Sequence, residues 1–385
     1  MKCVVRKADL ELIVTRAARA TDPKSPAPAM RNVVLEARGT RVRATGCDLY
    51  VAWEGDTDAA VEKPGAITVP AEDLVEKVRA LPEGPVVVEL DGARLAIKAK
   101  ARKHYLPTLS ADDYPKFPSD KTEPRVIEIA ARTLKSALDR VWRVIDKKAA
   151  AQMACVHLWA ENQILNVVVV HEHRYHWQSI PMSGIPDITQ PTMIPPKAVE
   201  DLRALLTADE KVFVTIAKTW MSVRGESGHT YRTRLQLWEH EIPFHRTIEA
   251  IRRTLKHPVK VPRALALEAF KACASDRGQL ELHFKPGRIV CEAPDEDGRL
   301  SQDEIPIEYS GPERSITIEQ RYADELFQAA PDSFVELESH HIPEGMQFNE
   351  AKRDDIKSAN MQNGGIAVAV VLRSGDFEGF VMGIG

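Results

Sequence analysis

The hydrophobic and polar positions of the chain follow one pattern that recurs along its length. A short alternating run enters a stretch with apolar residues at helical spacing, more alternating runs follow, and a second helical stretch precedes further alternating runs. Apolar positions three and four residues apart predict an amphipathic helix, whereas alternation with a period of two predicts strands. The pattern therefore predicts strands and two helices in each copy of a repeated unit.

The second helical stretch shows the repetition most clearly. Residues 69–81 (VPAEDLVEKVRAL) align without gaps with residues 194–206 (IPPKAVEDLRALL), and residues 318–330 (IEQRYADELFQAA) are a weaker third copy. The eighth position is acidic in all three copies, and these acids are 125 and 124 residues apart. A period of this length excludes a solenoid of short repeats and predicts three similar domains.

The boundaries between these domains follow from composition. Residues 117–124 (FPSDKTEP) and 256–262 (KHPVKVP) are polar and contain proline, as expected of linkers. The predicted domains are residues 1–122, 123–256 and 257–385.

Composition narrows the class of protein. The formal net charge of −4 gives no overall excess of positive charge that would indicate nucleic acid, so any basic surface must be local. The five cysteines contain no C-x-x-C pair, which argues against a zinc ribbon or a disulfide framework and favours a reducing cytosol. No window reaches the roughly 18 apolar residues of a membrane span, so we expect neither secretion nor membrane insertion.

The candidate chemistry is sparse. A histidine cluster, HEHRYH, places His171 and His173 on one face of a predicted strand and His176 on the other. An H-x-H pair can bind zinc, but the sequence supplies no third ligand. G-x-S-x-G and phosphate-loop motifs are absent from the sequence. We therefore predict no catalytic residue, no metal site and no cofactor.

Basic residues concentrate on predicted helices. Residues 132–148 combine an apolar stripe with a basic polar face. Three equivalent domains can form an arc, and two arcs joined head to tail can close into a ring. Basic helices could hold phosphate backbones without contacting bases, although lysine and arginine also favour solvated helix faces without any ligand.

Four segments carry a resemblance to a known family. They are GCDLYVAWEGD (46–56), GAITVPAEDLVEKVRALPEG (65–84), YLPTLSADDYPKFP (105–118) and DEIPIEYSGPERSITIEQRYADEL (303–326). Their order and spacing resemble those of the bacterial sliding clamps, the beta subunits of DNA polymerase III, over essentially the whole chain. The resemblance implies an α+β fold of three repeated clamp-type domains, each with two helices packed on antiparallel sheets. It also implies a head-to-tail ring dimer around duplex DNA, without catalysis.

The resemblance and the basic helices together predict two contact surfaces. At the dimer seam, the family pairs basic residues of domain one with acids of domain three. The matching positions are Arg94 and Lys103 against Asp303 and Glu304, with Leu106 as an apolar contact; an ordinary solvated rim is the alternative. The predicted DNA-binding residues are Lys24, Arg140, Arg143, Lys147, Lys148, Lys197 and Arg203.

The family also has a cleft that binds short linear peptides, and this chain departs from it there. The usual Thr-Asp-Gly-His-Arg-Leu stretch is replaced by VHEHRY at 170–175, and the usual Met-Pro-Met-Arg-like terminus by VMGIG. These changes should alter which peptides enter. A polar insert at 345–365 is expected to be a surface loop. The predicted cleft residues are Val170, His173, Arg174, Tyr175, Pro243, Ile248 and Met382.

The predicted function is a cytoplasmic DNA sliding clamp. Its implied partners are double-stranded DNA, a second copy of the chain, the DNA polymerase III catalytic subunit, a clamp loader that uses ATP, and repair proteins that dock through short peptides. A specialised clamp paralogue for repair or inhibitor resistance, with altered peptide specificity, is the alternative. A metal-dependent hydrolase built on the histidine cluster is a third hypothesis, which leaves the threefold repetition unexplained.

Overall fold

A computed structural model describes residues 1–117, 124–149, 154–171, 174–207, 209–237, 258–294, 297, 299–340 and 369–383. The helices in these ranges are α1 (Lys7–Ala18), α2 (Pro28–Arg31), α3 (Ala71–Arg79), α4 (Ala131–Trp142), α5 (Pro196–Leu205), α6 (Arg263–Ala272) and α7 (Gln320–Ala329). The strands are β1 (Lys2–Arg6), β2 (Asn32–Arg38), β3 (Arg41–Cys47), β4 (Val51–Asp58), β5 (Ala60–Lys63), β6 (Gly65–Pro70), β7 (Pro85–Asp91), β8 (Arg94–Ala99), β9 (Arg102–Pro107), β10 (Arg125–Ala130), β11 (Val156–Glu161), β12 (Ile164–His171), β13 (Arg174–Pro181), β14 (Ile188–Ile194), β15 (Lys211–Ile216), β16 (Trp220–Gly225), β17 (Thr230–Arg234), β18 (Val259–Pro262), β19 (Gln279–Lys285), β20 (Arg288–Pro294), β21 (Leu300–Pro306), β22 (Arg314–Glu319), β23 (Phe334–His340), β24 (Ala369–Ser374) and β25 (Phe377–Met382).

The order of these elements repeats three times. The second and third copies each run strand, helix, four strands, helix and three strands, and the first copy adds the short α2 and β5. Every pair of neighbouring strands is antiparallel. The predicted α+β class with a threefold repeat is confirmed.

One compact unit comprises Met1–Lys135 and Lys197–Gln236. It contains a five-stranded sheet in the order β5-β1-β7-β8-β9 and an eight-stranded sheet in the order β10-β15-β16-β17-β4-β3-β2-β6. The pairing of β17 with β4, with Tyr231 opposite Trp53, joins strands of the first and second repeats into one sheet.

The second compact unit comprises Ser136–Pro196 and Leu237–Gly385. Its eight-stranded sheet has the order β14-β11-β12-β13-β25-β24-β23-β18, and its four-stranded sheet has the order β21-β20-β19-β22. Here β13 pairs with β25, so the second and third repeats also share a sheet. The strands of the middle repeat are thus divided between the two units, and the three domain boundaries stay a prediction.

Helices pack on the sheets through an apolar face and closely fitting glycines. The buried face of α1 consists of Leu10, Ile13, Val14 and Ala17, together with the stem of Lys7. A Cβ at Gly46 of β3 would lie 1.9 Å from the carbonyl oxygen of Ala17, so only glycine allows α1 to approach this closely. Gly379 of β25 allows an equally close approach of α7, since a Cβ there would lie 2.1 Å from a methyl group of Leu326.

Two local predictions are wrong. The helix expected over residues 132–148 ends at Trp142, and Lys147 and Lys148 follow in a turn segment. The Asp146 carboxylate accepts the backbone N–H of Lys148 at 2.8 Å, a local bond that competes with helix continuation.

The histidine cluster also differs from its prediction. The chain reverses between β12 and β13, and His171 lies directly opposite Arg174 in the antiparallel register. Directly opposed residues share a face of the sheet, so His171, Arg174 and His176 lie on one face. The expectation that His171 and His176 lie on different faces assumed one continuous strand.

None of the described helices combines the length and apolar character that crossing a membrane requires.

Candidate peptide cleft, basic surface and sheet edges

An aromatic cluster lies on one face of the eight-stranded sheet of the second unit. The Tyr175 ring stacks on Phe380 with centroids 5.1 Å apart, and its hydroxyl donates to Glu378 Oε1 at 2.7 Å. Val170 and Met382, both half-buried, pack against the same cluster. Three of the predicted cleft residues therefore come together here. The buried members are Trp159, Val168, Tyr175, Trp177, Ala369, Val371 and Phe380.

The opposite face of β13 carries Arg174. Its guanidinium donates to the Glu325 carboxylate and lies over the Tyr322 ring, 4.1 Å from the centroid. Burial raises the pKa of Glu325, and the positive charge of Arg174 opposes that rise. Glu325 is the acid at the eighth position of the repeated helix, a link between α7 and β13 that the sequence pattern did not indicate.

His176 lies beside Arg174 on the same face and is fully buried. Its Nδ1 donates to the backbone carbonyl of Arg140 at 2.8 Å, because a carbonyl oxygen can only accept. Burial, with a smaller contribution from the positive charges of Arg174 and Arg143, lowers the pKa of His176 to about 4. The imidazole is therefore neutral at pH 7. The other predicted cleft residues, His173, Pro243 and Ile248, and the 345–365 insert lie outside the described residues.

The predicted DNA-binding residues on and after α4 differ in how exposed their side chains are. The Arg140 guanidinium is half-buried and donates to Gln178 Oε1 at 2.6 Å, and its burial lowers its pKa. Arg143 is exposed and donates to Gln328 Oε1 at 2.9 Å. Lys147 and Lys148 are also exposed, with the Lys147 ammonium 5.1 Å from the centroid of the Trp142 ring. Three cations of this group therefore face solvent.

A second basic group surrounds a buried carboxylate in the first unit. Asp201 of α5 has no exposed surface, and its Oδ2 accepts from Lys197 at 2.5 Å and from the Tyr231 hydroxyl at 3.0 Å. Arg19 lies 3.1 Å from Asp201 Oδ1. Burial and the nearby Asp201 charge raise the pKa of Tyr231 well above its ordinary value.

The same carboxylate holds cations at the surface. Lys197 also donates to the Arg19 carbonyl at 2.9 Å, and the Lys197 side chain remains 51% exposed. Asp201 thus positions two cations while leaving them accessible. Arg203 is half-buried on α5, and Lys24 is exposed in the turn after α1.

The predicted basic seam residues lie at one end of the five-stranded sheet. Lys103 is on β9, an edge strand, and Arg94 is on the neighbouring strand β8. Both cations lie over the Tyr105 ring of β9, at 4.6 Å for Lys103 and 5.0 Å for Arg94 from its centroid. Tyr105 is 40% exposed, whereas Leu106 is only 4% exposed and packs inside its own unit. Leu106, the predicted apolar contact of the seam, therefore faces the inside of its unit, and Tyr105 is the exposed aromatic side chain of β9.

The predicted acidic seam residues lie on an edge strand of a different sheet. Strand β21 is an edge of the four-stranded sheet in the second unit. Asp303 Oδ1 accepts the Glu304 backbone N–H at 2.8 Å, and Glu304 lies 3.3 Å from the Arg288 guanidinium. One edge strand is therefore basic and the other acidic.

Structural comparison shows the fold of the chain. The DNA polymerase sliding clamp of Pseudomonas aeruginosa superposes with a TM-score of 0.83 over 100% of both chains, at 19% identity. The DNA polymerase sliding clamp of Caulobacter crescentus gives the same TM-score, identity and coverage. The chain has the fold of the DNA polymerase sliding clamps.

Sequence comparison finds relatives among the beta sliding clamps. The model described as the DNA polymerase III beta subunit, N-terminal domain, matches residues 1–118. The beta sliding clamp of Streptomyces coelicolor is 23% identical over 323 residues, covering 82% of this chain and 85% of the relative. That of Caulobacter vibrioides is 24% identical over 336 residues, covering 84% and 88%. The resemblance to the bacterial DNA polymerase III beta subunits is confirmed.

Proposed function

We propose that this chain is a DNA sliding clamp, a non-catalytic protein that encircles duplex DNA as a homodimer. It tethers DNA polymerase and other replication and repair proteins to the DNA. The observation that carries the proposal is the clamp fold over the whole chain, with a threefold repeat and two oppositely charged open sheet edges. The five cysteines are all free and buried, which supports action in the reducing cytoplasm.

The homodimer follows from the edge strands. An unpaired edge presents backbone donors and acceptors to a further strand. The two edges are also electrostatically complementary. Lys103 is on β9 of one copy, and it would face Asp303 and Glu304 on β21 of the other. Each chain carries both β9 and β21, so two copies joined head to tail would make two equivalent seams.

DNA binding needs only cations that reach phosphates. Arg143, Lys147 and Lys148 are exposed, and Lys197 is held at the surface by Asp201. Contacts to phosphates do not depend on sequence, so a closed ring can move along the duplex. The remaining proposed contacts are Lys24 and Arg203, in the first unit with Lys197, and Arg140, in the second unit with Arg143.

The aromatic cluster is the proposed docking site for partner peptides. Val170 and Met382 are half-buried at its border, and Tyr175 lies beneath them against Phe380. Short linear peptides of the polymerase catalytic subunit, the clamp loader and repair proteins would bind there with apolar anchors.

A specialised paralogue is the second candidate. The specific observation in its favour is the hydrogen bond from Tyr175 to Glu378, a polar contact at a position where the family usually has leucine. A buried polar pair changes both the shape and the polarity that a peptide meets.

Retention on DNA tests the topological mechanism. The protein should remain on nicked circular DNA after loading by its cognate loader and leave when a restriction enzyme linearises the circle. A catalytically dead restriction enzyme is the control. Equal retention on circular and linear DNA would contradict encirclement, and a native mass of one chain would contradict the ring dimer.

Salt dependence tests the basic surface separately. Reversing both charges in Lys147→Glu/Lys148→Glu should reduce the slope of log K against log salt concentration by about 2, since each lost phosphate contact contributes about 0.9. The matched control is Lys63→Glu, an exposed lysine on β5 outside the proposed surface. A slope equal to that of the control would exclude the turn after α4 from the DNA contact.

A further inference from the structure

We propose that Glu281, His283 and Glu292 form a binding site for a divalent transition-metal ion of the zinc type. The site lies on the four-stranded sheet of the second unit, away from the aromatic cluster. The histidine cluster at 171–176 has no part in it. It is independent of the sliding-clamp proposal.

The register of the sheet brings the three side chains together. Glu281 and His283 are two residues apart on β19, so both project from the same face. Glu292 of β20 is the direct cross-strand partner of Glu281 and shares that face. Both β19 and β20 are interior strands of the sheet, so the backbone that carries these side chains is paired on both sides.

The separations between the ligand atoms match those of a metal site. His283 Nε2 lies 3.6 Å from Glu281 Oε2 and 3.4 Å from Glu292 Oε2. All three ligand atoms lie within 4.8 Å of one another. A tetrahedral ion with bonds of about 2.1 Å separates its ligand atoms by about 3.4 Å, so one ion can bind all three with little rearrangement.

The imidazole is oriented for this role. His283 Nδ1 is 2.7 Å from the Ser315 hydroxyl oxygen on β22, a hydrogen bond that fixes the ring. Nε2 is a buried atom for which the described part of the chain supplies no hydrogen-bond partner, and it faces both carboxylates. With Nδ1–H donating to Ser315, Nε2 presents its lone pair to the site, as a metal-bound histidine does.

The ligand set indicates the class of metal. One imidazole and two carboxylates suit zinc and similar divalent transition metals, whereas calcium and magnesium prefer oxygen alone. The side chains of Glu281, His283 and Glu292 are 37%, 19% and 23% exposed. An ion can therefore enter from solvent, and water can occupy the fourth position. The bound ion would link β19 to β20 and stabilise the fold by linkage.

Zinc titration of the full-length chelator-treated protein tests the site. Isothermal titration with zinc chloride and native mass spectrometry should show one ion per chain, and magnesium chloride should not compete. His283→Gln and Glu281→Gln should each weaken zinc binding at least 10-fold, and Ser315→Ala, which removes the orienting contact, roughly 10-fold. The control His104→Gln, in the other unit, should bind as the wild type does.

The thermal midpoint separates loss of a ligand from loss of the fold. Glu281→Gln keeps the shape of a partly exposed side chain and should melt as the metal-free wild type does, but zinc should raise only the wild-type midpoint. Absence of zinc binding by the wild type, or equal binding by the Glu281 and His283 variants, would overturn the proposal.

Discussion

Acidification should destabilise the second unit through His176. The imidazole is fully buried between β13, α4 and β25, its Nδ1–H donates to the Arg140 carbonyl, and its ring meets the edge of Phe377. The positive charges of Arg174 and Arg143 also disfavour a charge on the ring. Protonation of Nε2 would therefore place a positive charge inside the protein, near two other positive charges.

The magnitude follows from the pKa of His176, which burial lowers from 6.5 to about 4. Between these values the unfolded chain binds a proton that the folded chain does not, so the free energy of unfolding rises with pH across this window. The contribution is fully present above pH 6.5 and falls by about 1.4 kcal/mol per pH unit below it. By pH 4 the loss amounts to about 3 kcal/mol.

Urea unfolding followed by tryptophan fluorescence at pH values from 4 to 7.5 measures this loss. In His176→Asn, the side-chain amide can still donate to the Arg140 carbonyl but does not titrate, so the steep part of the pH dependence should disappear. His104→Asn, in the first unit, is the matched control and should keep the wild-type slope. Parallel curves for the wild type and His176→Asn would refute the argument.

Three further predictions concern other contacts. Tyr231→Phe removes the hydroxyl that donates to the buried carboxylate of α5, and should lower the free energy of unfolding by about 1.5–3 kcal/mol in urea titrations. Because the pKa of Tyr231 is raised, the free energy of unfolding of the wild type should also fall as pH rises above 10. If Tyr231→Phe loses the same amount of stability above pH 10, Tyr231 is not the cause of that loss. Lys103→Glu and Asp303→Lys should each weaken the dimer about fivefold by sedimentation, and the double variant should recover; singles without effect would exclude the pair from the seam. Met382→Ala should weaken binding of a clamp-binding peptide in fluorescence anisotropy, whereas Leu265→Ala, an exposed apolar residue on α6, should not.

The candidate site could be predicted only in part from the sequence. Val170, Tyr175 and Met382 were named by position and do lie together, because β13 pairs with β25. Glu378 and Phe380 were missed, since nothing in local spacing indicates that residues about 200 positions apart will be neighbours. The same holds for Arg174 with Glu325, and for Asp201 with Arg19.

Local patterning by itself determined the repeat, the class of secondary structure and the absence of common catalytic motifs. These properties follow from side-chain periodicity, which acts over a few neighbouring residues. Tertiary structure alone decided that α4 ends at Trp142 and that His171 lies on the same sheet face as His176. It also decided that the side chains of Glu281, His283 and Glu292 lie close together. Such features depend on strand register and on competition between local and long-range hydrogen bonds, and a shift of one residue in register would move each side chain to the opposite face.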